Sequence, residues 1–225
     1  MLFGSAARGE LNDESDFDLL VVGDGEAPRL PSPGRRAAAS VLHRSPAWLL
    51  RQTSEGQLFA LHLQLEGRVL HDPTGVLASF LRTPVRVPFQ ERLDQAREAC
   101  AVLYAKDADL TTRSAFAVAR HLLRTVAFLS CASRGCPTFS HRRASRVLEA
   151  PELASLLSRS APMDSLPRMR GALEALVGAP SRVGWSLRNL AVEPSSGDLA
   201  AQLMRDEPCV SYDPQPDREQ DAAAA

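Results

Sequence analysis

Two residue pairs near the N-terminus have the types and spacing that chemistry needs. Gly4-Ser5 is followed, after ten intervening residues, by Asp16-Phe17-Asp18, which runs into Leu19-Leu20-Val21-Val22. Side chains on a strand alternate with period two, so Asp16 and Asp18 project to one side about 7 Å apart, near enough to share divalent ions. Hard carboxylate oxygens suit Mg²⁺, which keeps several waters and is completed by substrate phosphates. Gly4 lets backbone approach a phosphate closely, and a helix opening behind it presents unpaired N–H groups and a positive dipole end. The Ser5 hydroxyl can donate to a phosphate oxygen. Arg8, within the first turn, offers either a charge-assisted phosphate contact or a salt bridge with Glu10 or Asp13. Together these groups would hold a nucleoside triphosphate with its α-phosphorus over a metal pair.

The elements that must position them follow from local pattern. Met1 to Phe3 reads as the end of a strand. Ser5 is a good N-cap and Ala6, Ala7, Glu10 and Leu11 are helix formers, which predicts a short helix over 5–11. Residues 12–15 read as a turn. Phe17 to Val22 is a strand whose continuous apolar run suits a sheet covered on both faces, ended by Gly23-Asp24-Gly25. Residues 26–36 are loop, and 38–43 form a third strand. Ser45 caps a helix with Pro46 at its first position. A helix over 57–65 and an edge strand over 68–71, closed by an Asp72-Pro73 turn, complete a small α/β layer.

Pro84 and Pro88 mark a linker over 83–92, which divides a domain of 1–82 from a helical domain of 93–210. Leu93, Ala96, Cys100, Leu103 and Tyr104 keep the 3.6-residue period, as do Phe116, Ala119, Leu122, Leu123, Val126 and Leu129. Gly135 stops the second of these helices. Ser140 caps a helix to about Leu148, Pro151 opens a short one, and further helices are expected over 166–177, 182–190 and 197–205. The tail 211–225 has the composition of a disordered segment. The fold class is therefore α/β (α+β), a small sheet domain followed by an all-α bundle.

At 225 residues and 44% hydrophobic, the chain can bury one large core or two small ones. Its net charge of −1 argues against a generic polyanion binder, although clustered arginine can still hold phosphate locally. No basic stretch leads into an apolar one at the N-terminus, and no uninterrupted apolar run reaches about 18 residues. A cytoplasmic protein outside the membrane is expected. Cys100, Cys131, Cys136 and Cys209 form no C-x-x-C pair and read as reduced, mostly buried thiols. His62 reads as a partly buried core histidine. Arg113, Arg120 and Arg124, beside His121, read as a solvated stripe, and Arg142, Arg143 and Arg146 as a surface patch.

Gly4-Ser5, Ala7-Arg8-Gly9-Glu10 and Ser15-Asp16-Phe17-Asp18-Leu19 resemble the signature of the DNA polymerase β-like nucleotidyltransferase superfamily. The resemblance is strongest to its minimal nucleotidyltransferase branch, which includes aminoglycoside nucleotidyltransferases and the antitoxin partners of HEPN-type toxins. It covers residues 2–22 and extends in outline through Asp72-Pro73. The resemblance implies a small mixed-sheet nucleotidyltransferase domain. It implies Asp16 and Asp18 as catalytic, metal-binding carboxylates and Gly4, Ser5 and Arg8 as nucleotide contacts. The cofactor would be two Mg²⁺ ions completed by the triphosphate. The reaction would move a nucleoside monophosphate, AMP from ATP, onto a hydroxyl of a small molecule, a protein or an RNA end, releasing pyrophosphate. A homodimer or a toxin-like partner is the expected assembly.

Two departures accompany the resemblance. Relatives carry a third carboxylate on a neighbouring strand, whereas residues 37–43 contain no acid, and His43 is the one side chain there that could take a proton near neutral pH. Relatives also have a helix and a full strand ahead of Gly-Ser, whereas three residues stand ahead of Gly4. The alternative expectation is a binding protein that keeps the fold without turnover, such as an antitoxin-like partner of a helical toxin.

Overall fold

The computed structural model describes residues 1–11, 15–25, 39–104, 112–158 and 160–180. Strand β1 (Leu2–Phe3) pairs antiparallel with β2 (Phe17–Val22), which pairs parallel with β3 (Ala39–Arg44). The sheet is mixed, in the order β1-β2-β3. Met1 extends the first ladder, because its nitrogen donates to the Leu20 carbonyl and its carbonyl accepts from the Leu20 N–H, each at 2.8 Å. Register sets Asp18 between Phe3 and Ser40, and Leu20 beside Leu42.

Helix α1 (Gly4–Arg8) follows β1 without a loop. Ser5 is not its cap; Phe3 holds that position with extended backbone, and Ser5 lies inside the helix. The helix stops at Arg8, short of the predicted Leu11, because Gly9 turns left-handed at φ 73°. Helix α2 (Pro46–Ser54) begins as its composition requires, with the Ser45 hydroxyl accepting from the Trp48 N–H at 3.2 Å. Helix α3 (Leu58–Glu66) follows, then α4 (Val76–Arg82), which local pattern did not announce. The Gln64 amide donates to the carbonyls of Phe80 and Thr83, binding α3 to the end of α4.

The expected edge strand over 68–71 reduces to one bridge, in which Leu2 and Arg68 exchange two backbone hydrogen bonds at 2.8 Å. Two-residue β1 offers its outer edge no further partner. The Asp72 carboxylate then accepts from the Ala78 N–H at 2.8 Å and draws the chain toward α4.

Leu20, Leu42, Leu49, Leu63, Leu77 and Phe80 join Met1 and Phe3 in a first core beneath one face of the sheet. On β2 only Leu20 is fully buried. Leu19 and Val21, which alternate to the opposite face, are half-buried, so the expected cover on both faces is not seen among the described residues.

A second core forms from α5 (Phe89–Ala99), a 3₁₀ turn (Cys100–Tyr104), α6 (Thr112–Ser133), α7 (His141–Val147), α8 (Leu153–Leu156) and α9 (Leu166–Val177). Helix α6 is its axis and packs against α5 and α9. Residues Ala115–Ser133 have the length and composition to cross a membrane, but 67% of that stretch is buried inside the protein, as a core helix requires. Cys100 and Cys131 are buried free thiols as expected, whereas Cys136 is exposed. The expected helices over 182–190 and 197–205, the tail, the loop 26–36 and Cys209 lie outside the described residues.

Leu123 is completely buried at the centre of α6, so Leu123→Ala leaves a cavity that its neighbours fill only partly. It is expected to lower the unfolding free energy by about 2–5 kcal/mol in urea titration. Leu50→Ala, at a side chain 63% exposed, should change it by less than about 0.5 kcal/mol.

Candidate functional site

A cleft of about 770 Å³ opens between the sheet domain and the helical bundle. Gly4, Ser5, Arg8, Asp16 and Asp18 all line it, so the fold gathers every residue singled out by spacing into one cavity. Asp18 sits on β2 directly against the start of α1. A Cβ placed on Gly4 would lie 2.3 Å from the Asp18 Oδ2, inside any real contact distance, and Gly4 also adopts φ 72°. Any other residue there would be strained by the left-handed backbone and would have to turn the Asp18 carboxylate away.

The register decides what stands next to the acidic pair. Ser40 of β3 aligns with Asp18, so the neighbouring strand presents a hydroxyl and no third acid beside it. His43 aligns with Val21, an odd number of residues from Asp18, and therefore belongs to the other face of the sheet. It cannot stand in for the missing carboxylate. Among the described residues no three His, Cys, Asp or Glu side chains converge as a closed metal site. Two carboxylates at an open cleft could hold a hard divalent cation that takes its remaining ligands from water and phosphate oxygens.

Arg8 is held by carboxylates. Its Nε donates to Glu10 at 2.7 Å and its Nη1 to Glu66 at 2.6 Å. Glu66 also accepts from His62 Nε2 at 3.1 Å and, across the cleft, from the Phe139 N–H at 3.2 Å. Ser140, expected to cap α7, makes no such bond; its hydroxyl donates to Glu10 at 3.0 Å instead. The His62 ring stacks on Phe139 with centroids 4.2 Å apart. Arg8, Glu10 and Glu66 thus clasp the first helix to the loop before α7.

Burial alone would raise the Glu66 carboxyl, but the hydrogen bonds from His62 and Arg8 outweigh it and hold Glu66 below the usual carboxylate range. Burial lowers His62 despite Glu66, so His62 is neutral and donates through Nε2–H. Burial, reinforced by Arg124, pushes His121 down to about 4. Burial, then Arg124 and Arg8, does the same to His141. The cleft wall on the helical side is therefore lined by neutral imidazoles, with its fixed positive charge on Arg124 and Arg142.

Arg124 and His121 belong to the cleft and not to a solvated stripe, while Arg113 is exposed as expected. Glu66 was detectable only as the i+4 neighbour of His62 on one helix face. Phe139 and Ser140 carried no local signal, because their partners lie 73 and 130 residues away.

A family model described as a nucleotidyltransferase domain matches residues 1–115, which takes in everything from β1 through α5 and reaches the start of α6. Neither the curated proteins nor the solved structures contain a match.

His121 and His141 bind protons less readily folded than unfolded. Between their ordinary value of 6.5 and about 4, the unfolded chain holds more protons, so stability is lost as pH falls through that window. Unfolding free energies from urea titration are expected to fall from pH 7 to pH 4, by a few kcal/mol in total. The His121→Gln, His141→Gln double variant should flatten the dependence; an unchanged slope would show that these histidines do not drive it.

Proposed function

The chain belongs to the nucleotidyltransferase domain family, within the polymerase β-like superfamily, and on that premise we propose that it transfers AMP from ATP to an acceptor hydroxyl in the cytoplasm. The observation that carries this reading is the junction of Gly4 and Asp18, where the carboxylate occupies the space that a side chain at position 4 would fill. A phosphate-approach glycine and a metal-binding carboxylate are thereby in contact at one end of the cleft.

Asp16 and Asp18 would hold Mg²⁺, whose remaining positions go to water and the triphosphate. Bound there, the metal supplies Lewis-acid stabilisation of the charge that develops on the transferring phosphoryl group. Ser5 donates its hydroxyl to a phosphate oxygen, and Gly4 leaves room for the Asp18 carboxylate beside it. Arg8 acts on phosphate through position: its guanidinium, engaged by Glu10 and Glu66, fixes α1 beside the phosphate site. In the transfer, the acceptor oxygen bonds to the α-phosphorus as the bond from that phosphorus to the α–β bridging oxygen breaks. Pyrophosphate leaves with the electron pair, and the acceptor proton passes to solvent.

Calorimetry with ATP and Mg²⁺ tests the assignment. The Asp16→Asn, Asp18→Asn double variant should lose at least about 100-fold in Mg²⁺-dependent ATP affinity, since even outer-shell changes at metal sites cost about 10–100-fold. Unchanged binding would sink the reading.

A second reading has its own observation. Ser40 beside Asp18 provides no base for the acceptor proton, which favours a protein that binds the nucleotide and a partner without turnover. Under this reading the wild type binds Mg·ATP but releases no pyrophosphate, and Ser40→Asp gains release by about 100-fold, the usual worth of a positioned base. Brisk release by the wild type, unaffected at Ser40, would exclude it.

A further inference from the structure

The sheet side of the cleft carries its acids, Glu10, Asp16 and Asp18, whereas the helical side lines the same cavity with no carboxylate. Helix α7 contributes Arg142 to the rim of that cavity. The next residues on the helix, Arg143 and Arg146, line an adjoining hollow of about 550 Å³ with Val147 and Glu10, and Glu10 is shared between the two spaces. The hollow is therefore a lateral extension of the cleft.

All three arginines are exposed, and α7 contains no acid. Among the described residues none of them forms an ion pair; Arg146 makes only a long contact from Nε to the Arg142 carbonyl at 3.5 Å. Glu10, the one carboxylate facing the hollow, is already engaged by Arg8 and Ser140. A solvated face usually intersperses both signs of charge. Here three guanidiniums on two turns of helix are left with an unmet demand for planar, oxygen-rich anions, and phosphate answers it best.

We propose that the acceptor is a phosphate-bearing hydroxyl compound, its phosphate held by Arg143 and Arg146 on α7 while its hydroxyl end passes Arg142 into the cleft. The proposal rests on the nucleotidyl-transfer reading and narrows its acceptor. A polycationic acceptor is disfavoured, because the helical wall has no carboxylate to receive it and three arginines to repel it. The same phosphate chemistry is offered by the end of an oligonucleotide strand and by a small phosphorylated molecule.

Fluorescence anisotropy with a 5′-labelled single-stranded oligoribonucleotide, competed by the unlabelled strand, by a nucleoside monophosphate and by the unphosphorylated nucleoside, tests the proposal on the full chain. Phosphorylated competitors should displace the probe and the nucleoside should not. Displacement by the strand alone identifies a strand end; equal displacement by the monophosphate identifies a small acceptor. The Arg143→Ala, Arg146→Ala variant should weaken probe binding at least about 10-fold and reduce the slope of log affinity against log salt by about 1.4, from 0.7 per lost phosphate contact. Calorimetry on the same variant should find Mg·ATP binding intact, which reports a folded cleft. Variant binding equal to wild type, or a nucleoside that competes as well as its phosphate, overturns the proposal. Loss of Mg·ATP binding in the wild type would instead overturn the nucleotide site, and leave the α7 result standing by itself.

Discussion

The structure depends on one half-buried carboxylate. Glu66, at the end of α3, receives a guanidinium from α1, an imidazole from its own helix and a backbone N–H from the loop ahead of α7. Three segments distant in sequence meet at two oxygen atoms. A carboxylate removed from water needs such partners, since its lost hydration is replaced only when both oxygens are hydrogen-bonded and a positive charge stands close. Arg8 supplies the charge at 2.6 Å and stays protonated at any accessible pH. Because His62 is neutral, Arg8 and Glu66 carry one positive and one negative charge, and Glu10 brings a second carboxylate to Arg8.

That pairing matters for the rest of the cavity. With Arg8 answered by its carboxylates, the charge in the cleft comes from Glu10, Asp16 and Asp18 on one side and from the helical arginines on the other. The histidines between them are kept uncharged by burial and by Arg124. The cleft is polarised across its width, acidic where a metal would sit and basic where a second substrate would enter. The two hydrophobic cores set this separation, one under the sheet and one around α6.

Much of this was legible in the residues themselves, for a physical reason. Gly4, Ser5, Asp16 and Asp18 lie within fifteen positions, and strand alternation plus the pairing of β1 with β2 is enough to bring them together. The caps at Ser45 and Gly135 were readable because capping is local. What escaped was tertiary. Ser140 has the composition of a cap, yet its hydroxyl finds Glu10 more favourably placed. Arg8 was balanced between phosphate and carboxylate, and one of its two partners, Glu66, lies 58 residues away, beyond any window of periodicity. The strand expected at Arg68 failed because β1 offers it a single pairing position. Helix α4 escaped because it starts from a left-handed Gly75, and the carboxylate that caps its first turn, Asp72, stands three residues further back, in a stretch that reads as a turn.

The contact between Gly4 and Asp18 has a consequence for how a substitution is felt. A side chain at position 4 would have to move the Asp18 carboxylate and also hold a left-handed φ of 72°, so a substitution there is coupled to the rotamer of Asp18. A change at Gly4 therefore reaches the acidic site as well as the first turn of α1.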